Sequence, residues 1–206
     1  MKILVTGCNG QLGHAIQEIS TYLSEWTWKF TDLPELDITN PEQVNQTVKN
    51  FQPDWIINAA AYTDVDGAET NQDLAYRVNA EGPHNLAKAV IEANAKLVHI
   101  STDYVFDGTK NEPYTETDQP NPLQVYGKSK LEGETLIQET GVPGIIIRTS
   151  WLYGTHGNNF VKTILRLADE KDEIQVVDDQ IGSPTYVGDL AEAILELLSK
   201  HTFHHL

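Results

Sequence analysis

The sequence predicts an α/β fold, a doubly wound parallel sheet with helices on both faces and a small C-terminal lobe that the chain begins rather than completes. Three observations carry this. Short apolar runs alternate with segments of helical periodicity along most of the chain. The runs themselves, such as Lys2 to Thr6 (KILVT), are apolar enough to be buried on both faces, as parallel strands are. The first run passes through a glycine-rich turn straight into a helix.

Taken in order, Lys2 to Thr6 is the first strand, and Leu12, Ile16, Ile19 and Leu23 recur at helical spacing behind the turn. Trp26 to Thr31 reads as the second strand, ending at Asp32. Asn40-Pro41-Glu42 places a cap residue before a proline at the first helical position, opening a helix through about Asn50. Trp55 to Asn58 is the third strand, and Leu74 to Asn94 the next helix. Lys96 to Ser101 (KLVHIS) and Gly144 to Arg148 (GIIIR) are the fourth and fifth strands, with a helix containing Tyr126 between them. Asp107-Gly108 marks a turn, and Pro113 to Pro122 a surface loop. From Trp151 the pattern loosens into a loop from Gly154 to Asn159, a helix from about Phe160 to Glu170, a short strand Ile174 to Val177 and a helix Val187 to Lys200. Residues 1–150 therefore form a Rossmann-like domain, and residues 151–206 the start of a second lobe. The closing His201 to Leu206 completes no element. Its histidines lack the supporting Cys, Asp or Glu spacing of a metal site, so no metal is assigned.

With 206 residues, 40% hydrophobic, 21% charged and four Trp, the chain suits one well-buried soluble domain with an appendage. No apolar run approaches membrane-spanning length, and Met1-Lys2 leads into a strand rather than a secretory leader, so a cytoplasmic protein is expected. The single Cys8 allows no intrachain disulfide and reads as a small residue that fits its turn. A formal net charge of -16 argues against nucleic acid or an anionic membrane as partner. An anionic ligand must then be held by local dipoles and a few placed cations. Assembly as a homodimer is left open.

Two patterns carry chemistry. Gly7, Gly10 and Gly13 are spaced Gly-x-x-Gly-x-x-Gly between a buried strand and a helix. Such a turn needs tight bending, close approach of backbone to phosphate and close helix packing, and free helix N–H groups then face a pyrophosphate. Asn9, Gln11 and Leu12 lie within the same turn. Asp32, at the end of the second strand, is placed to accept from an adenosine ribose, which would favour an unphosphorylated 2′ position. Asp37 and Ile38 would edge the adenine, while Ala59, Ala60 and Ala61, with Tyr62 beside them, allow close approach of a cofactor. The second pattern is Tyr126 and Lys130, four residues apart on one helix face. A nearby ammonium, with an oxidised nicotinamide, would lower the phenol toward the working range and let it exchange a proton with a carbonyl or alcohol oxygen as hydride moves. The hydroxyl-rich strand end Ser101-Thr102-Asp103 supports this reading.

The segments Thr6 to Gly13, Leu36 to Asn40, Asn58 to Glu69, Ser101 to Gly108, Tyr126 to Glu134, Arg148 to Tyr153, Gly157 to Phe160 and Asp179 to Thr185 together resemble the extended short-chain dehydrogenase/reductase superfamily. Within it, they are similar to the dTDP-4-dehydrorhamnose reductases. The resemblance implies reduction of the C4 keto group of dTDP-4-dehydro-6-deoxy-L-mannose to dTDP-L-rhamnose by NADPH or NADH. It implies that Thr102 binds the reacting oxygen, Tyr126 protonates it, and Lys130 tunes Tyr126 and holds the cofactor. Asp103 and Trp151 would contact the sugar or its nucleotide, with Asn159 and Phe160 nearby. Members of the family are longer at the C-terminus. Two alternatives share these features. A sugar-nucleotide epimerase or dehydratase is one, although Tyr104 follows Asp103 where a dehydratase commonly has an Asp-Glu pair. A binding module like the beta subunit of methionine adenosyltransferase is the other.

Overall fold

In the computed structural model, which describes residues 1–200, five strands form one parallel sheet: β1 (Lys2–Thr6), β2 (Thr27–Thr31), β3 (Trp55–Asn58), β4 (Lys96–Thr102) and β5 (Gly144–Thr149). Their order, β2-β1-β3-β4-β5, reverses direction between β1 and β3. A ligand-binding crevice is expected beyond the carboxyl ends of the strands at such a reversal. The predicted fold class is the one observed.

Side chains along each strand alternate between two cores, as the strand repeat requires. Leu4, Ile56 and Leu97 face α2 (Pro41–Phe51), α5 (Gly82–Glu92) and α6 (Val125–Thr140) on one side. Ile3, Val5, Ile57 and Val98 face α1 (Gln11–Ser20) and α8 (Val187–Lys200) on the other. Burying both faces requires the near-continuous apolar runs read from the sequence. Asn40 caps α2 by accepting from the Gln43 N–H, with Pro41 in the first turn, as the cap residues predict.

Three departures from the sequence reading are instructive. The helix expected over 74–94 is three pieces: α4 (Gln72–Tyr76), a π-helical turn (Arg77–Glu81) and α5, preceded by α3 (Val65–Thr70). The π turn carries Asn79, fully buried, whose amide Nδ2 donates to Tyr62 O and to Ser129 Oγ while its Oδ1 accepts from Tyr62 N. One extra residue in the turn brings this polar group against the loop after β3, a shift that apolar periodicity does not encode.

The strand expected at Ile174 to Val177 does not form. Val176 and Val177 are exposed, and no strand among the described residues pairs with them to give the ladder that β-propensity needs. The pairing found instead joins β6 (Leu152–Tyr153) to β7 (Thr185–Tyr186), two residues each.

Within 151–200 the two helices pack differently. The helix α7 (Phe160–Glu170) buries none of its residues, whereas Val187, Ala191, Ile194, Leu195 and Leu198 of α8 enter the core beside α1. The α8 helix thus packs with the sheet, on the same side as α1. The terminal histidine cluster lies outside the described residues.

Candidate active site

A cleft of about 810 Å³ lies across the carboxyl ends of the strands, walled by the glycine turn, the loop after β3, the end of β4, α6 and Trp151. Two glycines shape its floor. Gly7 has φ +71°, and a Cβ on it would stand 2.5 Å from Ala60 N; a Cβ on Gly13 would stand 2.5 Å from Gly7 O. Only glycine permits the turn, the loop and the helix to approach this closely. No side chain caps α1 at Gly10, so the first-turn N–H groups that a helix cannot satisfy itself are left for another acceptor.

Gly10, Gln11, Leu12, Asp32, Asp37, Ile38, Ala59, Ala60 and Ala61 line the same cleft. Several are already engaged. Both Asp32 oxygens accept from backbone N–H groups, Oδ2 from Asn9 and Oδ1 from Leu33, so its carboxylate ties the glycine turn to the end of β2. Asp37 Oδ1 accepts from both the Thr39 N–H and hydroxyl. Cys8 is likewise quiet: partial burial, then Asp32 and Glu35, push its thiol upward, away from the reactive thiolate.

Three expected residues stand off the wall. Asn9 contributes its backbone N–H to Asp32 rather than a side chain to the cleft. Tyr62 packs with Ala68, Ala75 and Val125 beneath the loop. Asn159 caps α7 by accepting from Lys162 N, and its amide donates to Gln11 Oε1 and Gly154 O. Gln11 also donates to Leu152 O, so the opening residue of α1 clamps the loop leading into α7. Trp151, at φ +46°, is held by Thr185 N donating to its carbonyl, and its ring lies against Gly182. Both Trp151 and Phe160 are partly exposed at the mouth of the cleft.

The opposite wall brings Thr102, Asp103, Tyr126 and Lys130 together. Here α6 starts without a side-chain cap of its own, and Glu69 Oε1 accepts from Val125 N at 2.8 Å, fixing the turn that carries Tyr126. Thr102 Oγ1 donates to Asp103 Oδ1 and accepts from Tyr104 N, both at 3.2 Å. Burial raises the Asp103 carboxyl, with Thr102 and the adjoining backbone N–H groups opposing.

The expected lowering of Tyr126 is not what the folded chain produces. Burial raises the phenol, Thr102 partly offsets this, and Asp103 and Tyr104 raise it further. Lys130 does not reverse the balance, because its Nζ donates to Ile100 O at 2.7 Å and burial brings its own pKa down to about 8. Chain charges alone therefore leave Tyr126 a proton donor. Further groups escaped the sequence reading: Asn58, Asn79 and His99 are all buried and polar. The signal available was a polar residue interrupting or ending an apolar run, as His99 does within KLVHIS and Asn58 after WII.

A family model described as the RmlD substrate binding domain matches residues 1–205. The chain belongs to that family. It is 49% identical over 199 residues to a dTDP-4-dehydrorhamnose reductase of Aggregatibacter actinomycetemcomitans, covering 97% of this chain and 68% of that protein. It is 46% identical over 200 residues to the spore coat polysaccharide biosynthesis protein SpsK of Bacillus subtilis, covering 96% and 70%. A solved dTDP-4-dehydrorhamnose reductase of Bacillus anthracis, in complex with NADP, superimposes with a TM-score of 0.94 at 49% identity over 98% of this chain and 72% of that one. The UDP-glucose 4-epimerase of Thermus thermophilus shares the fold, with a TM-score of 0.80 at 23% identity over 99% and 76%. The chain thus spans roughly two thirds of the length of its curated relatives.

Proposed function

We propose that this chain carries the cofactor cleft and proton-donating residues of a dTDP-4-dehydrorhamnose reductase, reducing the C4 ketone of dTDP-4-dehydrorhamnose with NADPH or NADH. The observation that carries the reading is the convergence of Thr102, Tyr126 and Lys130 on the cleft that the glycine turn opens, in a chain of the RmlD family.

The cleft fits a dinucleotide by its own chemistry. The uncapped start of α1 suits a pyrophosphate, and Gly7 and Gly13 let the turn, the loop after β3 and the helix pack closely enough to present that start. Ser101 and Thr149 lie along the same cleft, and their buried hydroxyls have no hydrogen-bond partner among the described residues. A bound reduced nicotinamide supplies the hydride.

The rest falls to the chain. Tyr126, kept protonated by burial, donates its phenolic proton to the C4 oxygen as negative charge develops there. Thr102 orients that oxygen, and Lys130 presents its ammonium to the same cleft, stabilising the phenolate left behind. Asp103, Trp151 and Phe160 border the sugar side of the opening. The cap made by Asn159 holds the loop beneath them.

The test supplies dTDP-4-dehydrorhamnose with each reduced dinucleotide and follows nicotinamide absorbance. Tyr126→Phe should lower kcat by ~100-fold or more while leaving dinucleotide affinity nearly unchanged. Near-normal turnover in that variant would remove Tyr126 from the mechanism.

A further inference from the structure

Behind Lys130 runs a chain of buried polar groups whose hydrogen positions follow from chemistry alone. Asn58 Oδ1 accepts from Thr6 Oγ1 at 2.7 Å and from the backbone N–H of Ala60 at 3.2 Å. A backbone N–H can only donate, so the amide atom facing it must be the oxygen. The amide nitrogen is thereby turned to His99 Nδ1, 3.0 Å away, and since it too can only donate, Nδ1 must present a lone pair. A neutral imidazole so placed carries its hydrogen on Nε2. That nitrogen faces Lys130 Nζ at 3.4 Å, while Nζ sits at 2.7 Å from Ile100 O. Asn58 and His99 are fully buried and Lys130 almost so, which leaves water no room to mediate.

We propose that His99 is a positioning residue for Lys130: locked by Asn58 as the Nε2–H tautomer, it offers the ammonium no acceptor, so the N–H groups not taken by Ile100 O turn toward the cleft. The use of those N–H groups in the cleft rests on the reductase reading; the tautomer does not. An imidazole of the opposite tautomer would take one Lys130 hydrogen and hold it against β4. When Lys130 loses its proton the two facing hydrogens become one hydrogen bond, His99 Nε2–H to the amine, which favours the neutral form. This agrees with the lowered Lys130, and burial followed by Lys130 keeps His99 neutral as well.

The other ionisable groups on the elements packed around Lys130 are Tyr126 and Glu134 of α6, Asp103 just beyond β4 on the same wall, and Arg148 of β5. Glu134 alone raises Lys130, and its two oxygens are taken by Arg148 Nε and Nη2 at 3.0 and 2.6 Å. Its hold on the lysine is therefore shared.

The experiment labels the whole chain with ¹⁵N-histidine and identifies the His99 signals by their loss in His99→Gln. The expected spectrum is an unprotonated Nδ1 and a protonated Nε2 from about pH 6 to 9, the range set by ordinary imidazole and the lowered lysine. Asn58→Asp should invert the tautomer, because a carboxylate accepts Nδ1–H and exposes the Nε2 lone pair to Lys130. Lys130 then holds its proton more tightly, and the alkaline limb of kcat should rise by about one pH unit, tenfold in proton affinity. Dinucleotide affinity, followed by NADPH fluorescence, should fall several-fold as an N–H is diverted. A mixed or Nδ1–H population in the unaltered protein overturns the proposal, as does an inverted tautomer that leaves both the limb and NADPH affinity in place. If Asn58→Asp does not fold, the spectrum of the unaltered chain decides. If no form turns over the dTDP-sugar, the reductase reading fails while the spectrum and the NADPH titration still judge this one.

Discussion

Asp32 shows how a residue can sit where its type suggests one role while its bonds give it another. A carboxylate at the end of the second strand reads as a ribose acceptor, yet both oxygens serve backbone N–H groups of the turn and its flank. Removing it should damage the turn, and the turn is common to both dinucleotides. Asp32→Ala should therefore weaken NADPH and NADH by similar factors, roughly 10-fold to 100-fold for the loss of charge-assisted hydrogen bonds. Fluorescence titration with each dinucleotide measures this. A loss confined to NADH would make Asp32 a ribose reader after all. Legibility at this scale follows the number of partners a residue needs. Gly7 and Gly13 are legible through their spacing between strand and helix, whereas His99 and Asn58 take their meaning from side chains far along the chain.

Among the elements, α6 contributes most to the site, and its closeness to its neighbours depends on absent side chains. A Cβ on Gly133 would meet Asn79 O at 2.1 Å, and one on Gly127 would meet Tyr104 O at 2.1 Å. Both contacts are with backbone, which cannot rotate aside. Gly133→Ala should push α6 from the π turn and cost about 1–3 kcal/mol, read from the midpoint of urea denaturation at unchanged slope. An unaltered midpoint would mean that the interface has slack. The sequence located α1 through its apolar spacing, and most strands of the sheet through their apolar runs. It did not yield the π turn, because the partners that fix Asn79 there, Tyr62 and Ser129, lie on other segments of the chain. Nor could it reject Ile174 to Val177, since a strand exists only where another lies beside it, and propensity is blind to that.

For the molecule as a whole, the buried bases set the direction in which pH acts on stability. The folded His99 stays neutral well below the ordinary 6.5, so below that pH the unfolded chain binds a proton the native state refuses, and stability falls as pH falls. Lys130 acts in the same sense in a second window: its folded value of about 8 lies below the ordinary 10.5, so stability rises as pH climbs between them. Each window contributes at most ~1.4 kcal/mol per pH unit. Denaturant titrations should show stability lost on acidification below about pH 6.5, with a shallower slope in His99→Gln; an unchanged slope would place the sensitive group elsewhere. The doubly wound order was legible because strand and helix alternate without interruption, but the different packing of α7 and α8 was not, since only the packed structure puts α8 beside α1. At the junction of α1 and the loop leading into α7 stands Gln11, which holds Leu152 O across a separation of 141 positions and meets the Asn159 amide as well. That loop therefore takes its origin from the same side chain that opens the first helix. Small errors along the intervening chain do not add up at the mouth of the cleft, because the distance across it is gauged from one fixed point.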